Sequence, residues 1–360
     1  MPRKFDALHF EVTHLCNLRC VHCYNINYLN SADKDLSTAD VFKIIDISKE
    51  IGCTHIGYSG GEPFMRKDFL EILSYTPKMP IHILSNGLLI DHNLLSQIQK
   101  INELVEFRIS LDGLDAHYKI RHVDYREILK KINLISQHGF IVTVNTTLNP
   151  YNFEELEILY EIFKENPPDR WRIDFAFNFG NAKKNYTTFN QEASFPILKK
   201  ILTRYIKEQP DFELDINKFF RSIFLNSNVI PMEYNLESKP CEYQSSLTIR
   251  PNGDVSFCPT LDLTFGNILE NSIYDIINSS DWKSVENIQA KDLGSACQSC
   301  QYLKHCGGGC RADAYYNTGN LCLPDEFNCQ AMAYYAKEIY PILETYYEAR
   351  HERQNSSDRR

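Results

Sequence analysis

Three cysteines near the amino terminus have the type and spacing of metal ligands. Cys16, Cys20 and Cys23 lie at i, i+4 and i+7 in the stretch C-N-L-R-C-V-H-C. Thiolates are soft ligands that suit iron and zinc, and a closed structural site usually takes four of them from the protein. Because the fourth ligand is missing locally, a 4Fe-4S cluster held here would keep one iron open to a ligand that is not protein. An ordinary zinc loop is the alternative.

Eight more cysteines lie between residues 241 and 329, and their number equals two complete four-thiolate sites. The segment from Leu247 to Phe257 predicts a β-hairpin with an Asn-Gly turn, which would bring Cys241 and Cys258 near each other. A pair of structural zinc sites is the alternative to iron–sulfur clusters. The eight are Cys241, Cys258, Cys297, Cys300, Cys306, Cys310, Cys322 and Cys329.

The composition of this chain of 360 residues, 43% hydrophobic and 24% charged, is that of a soluble globular protein. A net charge of −9 with no basic face argues against nucleic acid as the main partner. No secretion signal precedes the first strand, and no stretch approaches the length of a membrane span. We therefore predict a cytoplasmic protein without a membrane partner. In such a protein, twelve cysteines at short spacings indicate metal sites rather than disulfides.

Six apolar runs alternate with amphipathic segments in the first half of the chain, which predicts parallel strands joined by right-handed helical crossovers. The expected fold class is α/β, a partial (β/α)6 barrel similar to a TIM barrel. The predicted strands cover residues 8–12, 54–59, 81–85, 106–111, 141–146 and 172–177. The predicted helices cover residues 38–51, 68–75, 93–101, 125–138 and 153–164. Catalytic groups collect at the carboxyl ends of such strands, where the cysteine loop lies.

Polar or glycine residues follow several other predicted strands at that same end. Two glycines at 60–61 come after the second strand, where free amide and carbonyl groups can hold an ammonium or a carboxylate. A plain turn is the alternative there and at Ser85-Asn86, after the third strand. The fourth strand leads through Ser110 to Asp112. Asn145 lies at the end of the fifth strand, where a turn is the alternative to a ligand contact.

The Cys-x3-Cys-x2-Cys spacing in a loop after the first strand resembles the cluster motif of the radical S-adenosylmethionine (radical SAM) enzymes. By that resemblance Cys16, Cys20 and Cys23 hold a 4Fe-4S cluster whose open iron chelates the amino and carboxylate groups of SAM. The implied reaction is reductive cleavage of SAM. One electron passes to the sulfonium, the C5′–S bond breaks, and a 5′-deoxyadenosyl radical removes a hydrogen atom from the substrate. The implied electron source is a low-potential donor such as flavodoxin or ferredoxin.

The resemblance also implies SAM-binding residues. Residues 60–62 match a Gly-Gly-Glu-Pro motif that contacts the SAM amino group, and His22 stands where an aromatic residue packs on adenine. A Ser-Leu-Asp-Gly motif followed by His-x3-Arg matches a pattern in which the serine meets the ribose and the arginine meets the SAM carboxylate. The chain is one residue shorter than expected between these two motifs, so a surface Arg121 paired with Asp115 or Asp124 is the alternative. The implied SAM-binding residues are His22, Gly60, Gly61, Glu62, Ser85, Asn86, Ser110, Asp112, Arg121 and Asn145.

The later cysteines resemble the SPASM domain, a cysteine-rich extension of a radical SAM subfamily that binds two auxiliary 4Fe-4S clusters. By that resemblance the ligands of the first auxiliary cluster are Cys241, Cys258 and Cys310. Those of the second are Cys297, Cys300, Cys306 and Cys329. Cys322 either completes the first cluster or stands free.

These observations divide the chain into five predicted segments. They are a radical SAM core over 1–180, a helical bridge over 181–240, the SPASM domain with a β-hairpin and short helices over 241–330, a C-terminal helix over 331–348 and a disordered tail over 349–360. Within the bridge we expect a helix from Pro196 to Lys207. Phe219, Phe220 and Phe224 have the spacing of a buried helix face. Pro341 is expected to interrupt the C-terminal helix.

The sequence therefore predicts a radical SAM/SPASM enzyme whose auxiliary clusters accept an electron from a substrate radical; no catalytic side chain is identified. Relatives with this domain modify ribosomal peptides, mature sulfatases, or act on tetrapyrroles and sugars. We expect a ribosomally made peptide to be crosslinked, epimerised or oxidised, with recognition either direct or through a separate leader-binding protein. Dehydrogenation, epimerisation or decarboxylation of a small molecule is the alternative. A non-catalytic iron–sulfur carrier or zinc-held scaffold is the alternative from another functional class.

Overall fold

The computed structural model describes residues 5–26, 28–31, 34–176, 179–186, 191–222, 233–240 and 246–346. Its strands are β1 Ala7–Glu11, β2 His55–Ser59, β3 Ile81–Ser85, β4 Val105–Ser110, β5 Ile141–Leu148, β6 Arg170–Phe175, β7 Glu213–Ile216, β8 Phe220–Arg221, β9 Ser246–Ile249, β10 Asp254–Ser256 and β11 Thr264–Asn267. Together they form a single sheet in the order β11-β10-β9-β1-β2-β3-β4-β5-β6-β7-β8. Strands β1 to β7 are parallel, and β9 joins β1 in parallel. The pairs β7–β8, β9–β10 and β10–β11 are antiparallel.

Helices cover the sheet and build the C-terminal part. Aspartate or serine side chains cap several of them, as where Asp91 Oδ1 accepts the Leu94 amide at 2.8 Å. The helices are α1 Thr38–Glu50, α2 Phe69–Tyr75, α3 His92–Ile101, α4 Asp115–Arg121, α5 Tyr125–Gln137, α6 Leu156–Glu165, α7 Gly180–Asn185, α8 Phe195–Glu208, α9 Ile273–Asn278, α10 Ser280–Glu286, α11 Ser295–Gln298, α12 Leu303–Cys306, α13 Arg311–Thr318 and α14 Glu326–Tyr334.

The two faces of the sheet differ because side chains alternate along each strand. One face is apolar and fully buried, as Phe10, Tyr58 and Ile83 illustrate. The opposite, concave face carries partly exposed polar side chains such as His82 and Arg172. The edge strands β8 and β11 do not pair with each other. The sheet therefore forms a partial barrel that is not closed between these two strands, with the polar face inside.

The six predicted β/α units are confirmed, with strand ends that differ by at most two residues. The helical bridge is wrong in part, because β7 and β8 follow α8 and extend the sheet. The run Glu213-Leu214-Asp215-Ile216 alternates polar and apolar residues with the period of a strand, and its even members are buried. Phe220 lies in β8 and Phe219 precedes it, so neither belongs to a helix face. Phe224 lies outside the described residues.

The C-terminal part is joined to the barrel through the sheet. The predicted hairpin is confirmed as β9 and β10, with Gly253 at φ 92° in the turn, and β9 pairs with β1. The last helix begins at Glu326 rather than at 331. It continues through a π-helical segment, Tyr335–Ile339, into residues 340–346, so Pro341 does not interrupt it. Cys241 and the tail from 349 to 360 lie outside the described residues. No helix in the described ranges is long and apolar enough to span a membrane.

Candidate active site

The three amino-terminal cysteines lie together in the loop that follows β1, at the carboxyl end of the sheet. Burial raises the pKa of the Cys23 thiol to about 12, and the charges of Cys20 and Cys16 raise it further. Because the thiolate is the ligand, a bound cluster would have to displace these protons, as a metal's positive charge does. Cys53 is a buried side chain, 7% exposed, and lies before β2 at the opposite end of the sheet from the three cysteines.

The Gly60-Gly61 turn after β2 supports the cysteine loop by direct contact. The Gly61 amide donates to the Thr13 carbonyl at 2.8 Å. A Cβ atom at Gly61 would lie 2.1 Å from the Leu15 carbonyl oxygen and 3.0 Å from the Cys16 Cβ, and one at Gly60 would lie 2.5 Å from the Thr13 carbonyl oxygen. Only glycine permits this approach, so these two residues hold the cysteine loop in place.

The Glu62 carboxylate connects the loops after β2 and β3. Its Oε1 accepts the Ser85 hydroxyl and its Oε2 accepts the Asn86 amide, both at 2.8 Å. The Asn86 side chain in turn donates to Asn17 Oδ1 in the cysteine loop at 2.8 Å. Burial raises the pKa of Glu62 to about 7, against the two hydrogen bonds that favour its charged form. The structure thus places Glu62, Ser85 and Asn86 together beside the cysteines.

Arg121 lies buried between Asp112 and the cysteine loop. Its Nε donates to Asp112 Oδ2 at 2.6 Å, and its Nη1 lies 3.7 Å from Cys20 Sγ. Burial opposes ionisation of Asp112, but the charge and hydrogen bond of Arg121, together with smaller contributions from His22 and His117, outweigh it and lower the pKa of the carboxyl to about 2. The alternative of a surface arginine paired with Asp115 or Asp124 is therefore wrong.

Two of the buried polar atoms without a hydrogen-bond partner in the described part of the chain belong to His22 and Asn145, residues that the resemblance assigns to SAM binding. Burial lowers the pKa of His22 to about 4, so the ring is neutral at pH 7. Arg121 Nη2 lies 3.4 Å from His22 Nε2; because the guanidinium can only donate, the ring proton belongs on Nδ1. Within the described residues, His22 Nδ1 and Asn145 Oδ1 have no hydrogen-bond partner. Ser110 lies opposite Asn145 in the register of β4 and β5.

Two asparagines on α7 hold the cysteine loop, and the sequence analysis missed them. The Asn181 amide donates to the Cys23 carbonyl at 3.0 Å and its side chain to the Cys20 carbonyl at 3.2 Å. The Asn185 side chain donates to the Val21 carbonyl at 2.7 Å. Their i, i+4 spacing on one helix face was the only signal in a segment that we had expected to be a bridge.

A buried ion pair joins the barrel to the C-terminal hairpin, and it too was missed. Arg250 Nη1 lies 3.0 Å from Glu11 Oε2, and both side chains are at most 3% exposed. Tyr28, just after the cysteine loop, donates its hydroxyl to Asp262 Oδ1. Arg250 Nη2 lies 3.8 Å from the same oxygen. Because Asp262 follows Cys258 closely, these contacts run from the end of β1 to the cysteines of the C-terminal part.

Four of the later cysteines form one group. Burial raises the pKa of the Cys329 thiol to about 11, and the charges of Cys306, Cys297 and Cys300 add to the rise. These are the four residues that the resemblance assigned to the second auxiliary cluster. Cys329 is exposed at the surface, whereas Cys297 is buried.

The remaining cysteines are less completely described. Cys258 and Cys310 lie near enough for the charge of Cys258 to act on the Cys310 thiol, whose pKa is raised mainly by burial. Their expected partner Cys241 lies outside the described residues. Cys322 packs beside Cys297, with Ile288 and Leu293, and so lies next to a residue of the other group.

Iron–sulfur clusters and zinc ions differ in how closely they draw their sulfur ligands together. In the part of the chain that the structure describes, no three His, Cys, Asp or Glu side chains gather closely enough to hold one metal ion. A zinc ion draws its sulfur ligands to about 2.3 Å from one centre. A cluster spaces them more widely because each thiolate binds a different iron, and when bound it supplies one-electron chemistry.

Comparison with known proteins agrees with this arrangement. Residues 10–163 match the model of the radical SAM superfamily, and residues 241–301 match the SPASM model, described as an iron–sulfur cluster-binding domain. The chain is 24% identical to the PqqA peptide cyclase of Granulibacter bethesdensis over 344 residues, which cover 91% of this chain and 88% of that protein. It is 25% identical to the AdoMet-dependent heme synthase of Methanosarcina barkeri over 343 residues, 89% of this chain and 95% of that one.

The fold is also that of a solved structure. Streptococcus suis SuiB bound to its precursor peptide SuiA superposes with a TM-score of 0.70 at 18% identity, covering 92% of this chain and 76% of SuiB. The two matching domains imply 4Fe-4S clusters and SAM as cofactors. The chain belongs to the radical SAM superfamily, in the subfamily that carries a SPASM domain.

Proposed function

We propose that this protein is a radical SAM/SPASM enzyme that modifies a ribosomally made peptide by crosslinking, epimerisation or oxidation. The observation that carries the proposal is the similarity to PqqA peptide cyclase along nearly the whole of both chains. The chain is also similar to AlbA, the subtilosin biosynthesis protein of Bacillus subtilis, with 24% identity over 87% of this chain. SuiB, which shares the fold, was crystallised with a precursor peptide.

The concave face of the sheet supports a polar substrate such as a peptide. Partly exposed charged side chains line it in pairs: Arg172 lies 2.7 Å from Asp174, and Arg170 lies 3.8 Å from Asp215. A peptide main chain brings many hydrogen-bonding groups, and such a wall can satisfy them where an apolar pocket cannot. Because the edge strands β8 and β11 do not pair, the sheet is not closed, and we propose that an extended segment enters between them.

The residues of the site have different proposed roles in binding the cofactors. We propose Cys16, Cys20 and Cys23 as ligands of the SAM cluster, with Gly60, Gly61, Glu62, Ser85, Asn86, Ser110 and Asn145 around bound SAM. Cys20 shares its surroundings with Arg121 and Asp112, which leaves the arginine less free to bind the SAM carboxylate than the family pattern implies. His22 Nδ1 is a donor suited to an adenine nitrogen. The bound cofactors supply the radical, and the chain positions SAM and excludes water.

The proposed ligands of the auxiliary clusters are Cys258 and Cys310 with Cys241 for the first, and Cys297, Cys300, Cys306 and Cys329 for the second. A low-potential flavodoxin or ferredoxin would supply the electron for SAM cleavage. A separate leader-binding protein is a further proposed partner. We propose the cytoplasm as the compartment, where such reduced cofactors persist.

Anaerobic reconstitution tests the proposal directly. The protein should bind about twelve irons, the content of three 4Fe-4S clusters. With SAM, dithionite and the precursor peptide encoded beside its gene, it should form 5′-deoxyadenosine and change the mass or the chromatographic retention of the peptide. A protein in which Cys16, Cys20 and Cys23 are all replaced by alanine should keep about eight irons and form no 5′-deoxyadenosine. The matched control Cys53→Ala removes a cysteine that is not a ligand and should behave like the wild type.

A small-molecule substrate is the second candidate, because the chain matches 95% of the length of the heme synthase relative at 25% identity. The two candidates separate in the same assay when a tetrapyrrole replaces the peptide. Turnover of the tetrapyrrole with an unchanged peptide would overturn the peptide proposal. Formation of 5′-deoxyadenosine by the triple-alanine protein would overturn the enzyme assignment of the three cysteines.

A further inference from the structure

A buried asparagine lies against one of the cysteines of the second group. Asn328 is 4% exposed, and its Nδ2 atom lies 2.9 Å from Cys306 Sγ. The residue belongs to the first turn of α14, immediately before Cys329. One helix start therefore brings both a proposed ligand and a hydrogen-bond donor to the same four-cysteine group.

The orientation of this amide is fixed by chemistry. A thiolate bound to iron carries no proton and can only accept a hydrogen bond, so the side chain must present its NH2 group and not its oxygen. Position is fixed by the backbone, since Asp325 Oδ1 accepts the Asn328 amide and Asp325 Oδ2 accepts the Cys310 amide, both at 3.0 Å. A Cβ atom at Gly309, which has φ 78°, would lie 2.9 Å from Asn328 Nδ2. Glycine at that position leaves the space that the asparagine occupies.

Hydrogen bonds to cluster sulfurs and nearby charges set the reduction potential of an iron–sulfur cluster. A donor stabilises the reduced state, which carries one more negative charge, and so raises the potential. Arg311, 4% exposed, brings a positive charge close to the group, since its Nε lies 3.4 Å from the Gly309 carbonyl oxygen, and that charge acts in the same direction. The Asp325 carboxylate, which accepts the Cys310 and Asn328 amides, acts in the opposite direction.

We propose that the Asn328 amide raises the reduction potential of the second auxiliary cluster. The inference rests on the ligand set proposed above for that cluster. Reduction of that cluster would add one electron to it and change no bond or proton. The exposed Cys329 places the second cluster at the surface, where a one-electron acceptor protein can take the electron away.

Redox titration of the reconstituted protein, followed by electron paramagnetic resonance, tests this inference. Asn328→Leu removes the donor at similar volume, and one auxiliary cluster should then titrate at a lower potential while the other two clusters stay unchanged. The shifted signal should be the one that disappears in Cys300→Ala. Asn278→Leu is the matched control, because its amide donates to the Tyr274 carbonyl on a distant helix. It should leave all three potentials unchanged.

The iron content separates the two ways in which this experiment can fail. Wild-type protein with clearly fewer than about twelve irons would refute the ligand set, and with it the proposed function. Asn328→Leu with full iron and an unchanged potential would refute only the role of the amide. Asn328→Asp keeps the shape but presents an acceptor, and it should lower the potential further.

A measurement on the wild-type holoenzyme covers the case in which neither variant assembles its clusters. With 15N in the asparagine side-chain amides, pulsed electron paramagnetic resonance should detect a nitrogen coupling to the reduced second cluster, transmitted through the N–H···S contact. Absence of that coupling overturns the inference.

Discussion

At the scale of single residues, the site depends on a few buried charges whose partners lie far apart in the chain. Asp112 is fully buried and Arg121 is 9% exposed, and they meet at 2.6 Å beside Cys20. Removing one partner of a buried ion pair costs much more than the pair contributes, because the other charge stays in a poor solvent. The pair therefore holds the wall behind the cysteine loop as a unit.

A double-mutant cycle should show this coupling. Asp112→Asn and Arg121→Met should each lower the free energy of unfolding by about 3–5 kcal/mol, and the double variant should lose clearly less than the sum. Anaerobic urea unfolding of the metal-free protein measures all four states. Asp124→Asn is the control, since its contact with Arg126 is exposed at 3.4 Å and should matter by less than about 1 kcal/mol. Strictly additive losses would contradict the prediction.

His82 gives a prediction about pH. Burial lowers its pKa from 6.5 to about 4, helped by Arg108 and opposed by Glu106 at 3.3 Å. Between these values the unfolded chain binds a proton that the folded chain does not, so stability falls as the pH falls from 6.5 to 4. His82→Gln removes this contribution, at most about 3 kcal/mol over the window, and should flatten the curve of unfolding free energy against pH. Parallel curves for variant and wild type would contradict the assignment of this pH dependence to His82.

At the scale of elements, the carboxyl end of the sheet is built from contacts between loops. The turn after β2 supports the loop after β1, Glu62 reaches the loop after β3, and α7 returns from beyond β6 to hold the cysteine loop. The strands below fix where the ends of each loop lie. A change in one turn should therefore act on the neighbouring loop.

Gly61→Ala tests this dependence. The added methyl group would lie 2.1 Å from the Leu15 carbonyl oxygen, so the cysteine loop has to move. We expect the reconstituted variant to hold about eight irons instead of about twelve and to form no 5′-deoxyadenosine, as measured by iron analysis and chromatography. Gly57→Ala, within the preceding strand β2, is the matched control, because its methyl group meets His9 Nδ1 at an ordinary 3.5 Å. Full iron content in Gly61→Ala would contradict this dependence of the cysteine loop on the turn after β2.

At the scale of the whole molecule, the barrel and the C-terminal part form one folding unit. β9 pairs with β1 over four residues, Arg250 meets Glu11 in the interior, and Trp282 of the C-terminal part packs on Phe5 with ring centroids 6.2 Å apart. Both parts share this sheet and one continuous apolar core, so we expect them to be lost together on unfolding. The barrel and the C-terminal part are thus not independently folded domains.

The two tryptophans allow this unity to be measured. Trp171 reports on β6 and Trp282 on α10, and both are fully buried. In single-tryptophan variants made by Trp→Phe exchange, anaerobic urea unfolding should give one midpoint for both reporters. Arg250→Met leaves Glu11 buried without its cation and should move both midpoints together, at a cost of about 3–5 kcal/mol. Arg126→Met, at an exposed position, is the control. Different urea midpoints for the two tryptophan reporters would refute the proposal that both parts unfold as one unit.

Local patterns in the chain were enough to predict the cysteine motifs, the six β/α units and the hairpin. The reason is that a metal site with short ligand spacing and an element with a fixed period both leave their signature within a few consecutive residues. The four-cysteine group was assigned through family resemblance, and the structure brings the same four residues together. Strands β7 and β8 were missed because the alternation in β7 covers only four residues and β8 is only two residues long.

Contacts between distant segments were decided only by the tertiary structure. Asp112 and not Asp115 or Asp124 meets Arg121, because α4 turns the arginine inward toward the sheet. Asn181 reaches the cysteine loop across about 160 positions of sequence, and Asn328 reaches Cys306 from another helix. No local spacing encodes such pairs. They arise when the close packing of sheet and helices brings the two side chains to one place, so the cysteine motifs could be predicted from the sequence and their surroundings could not.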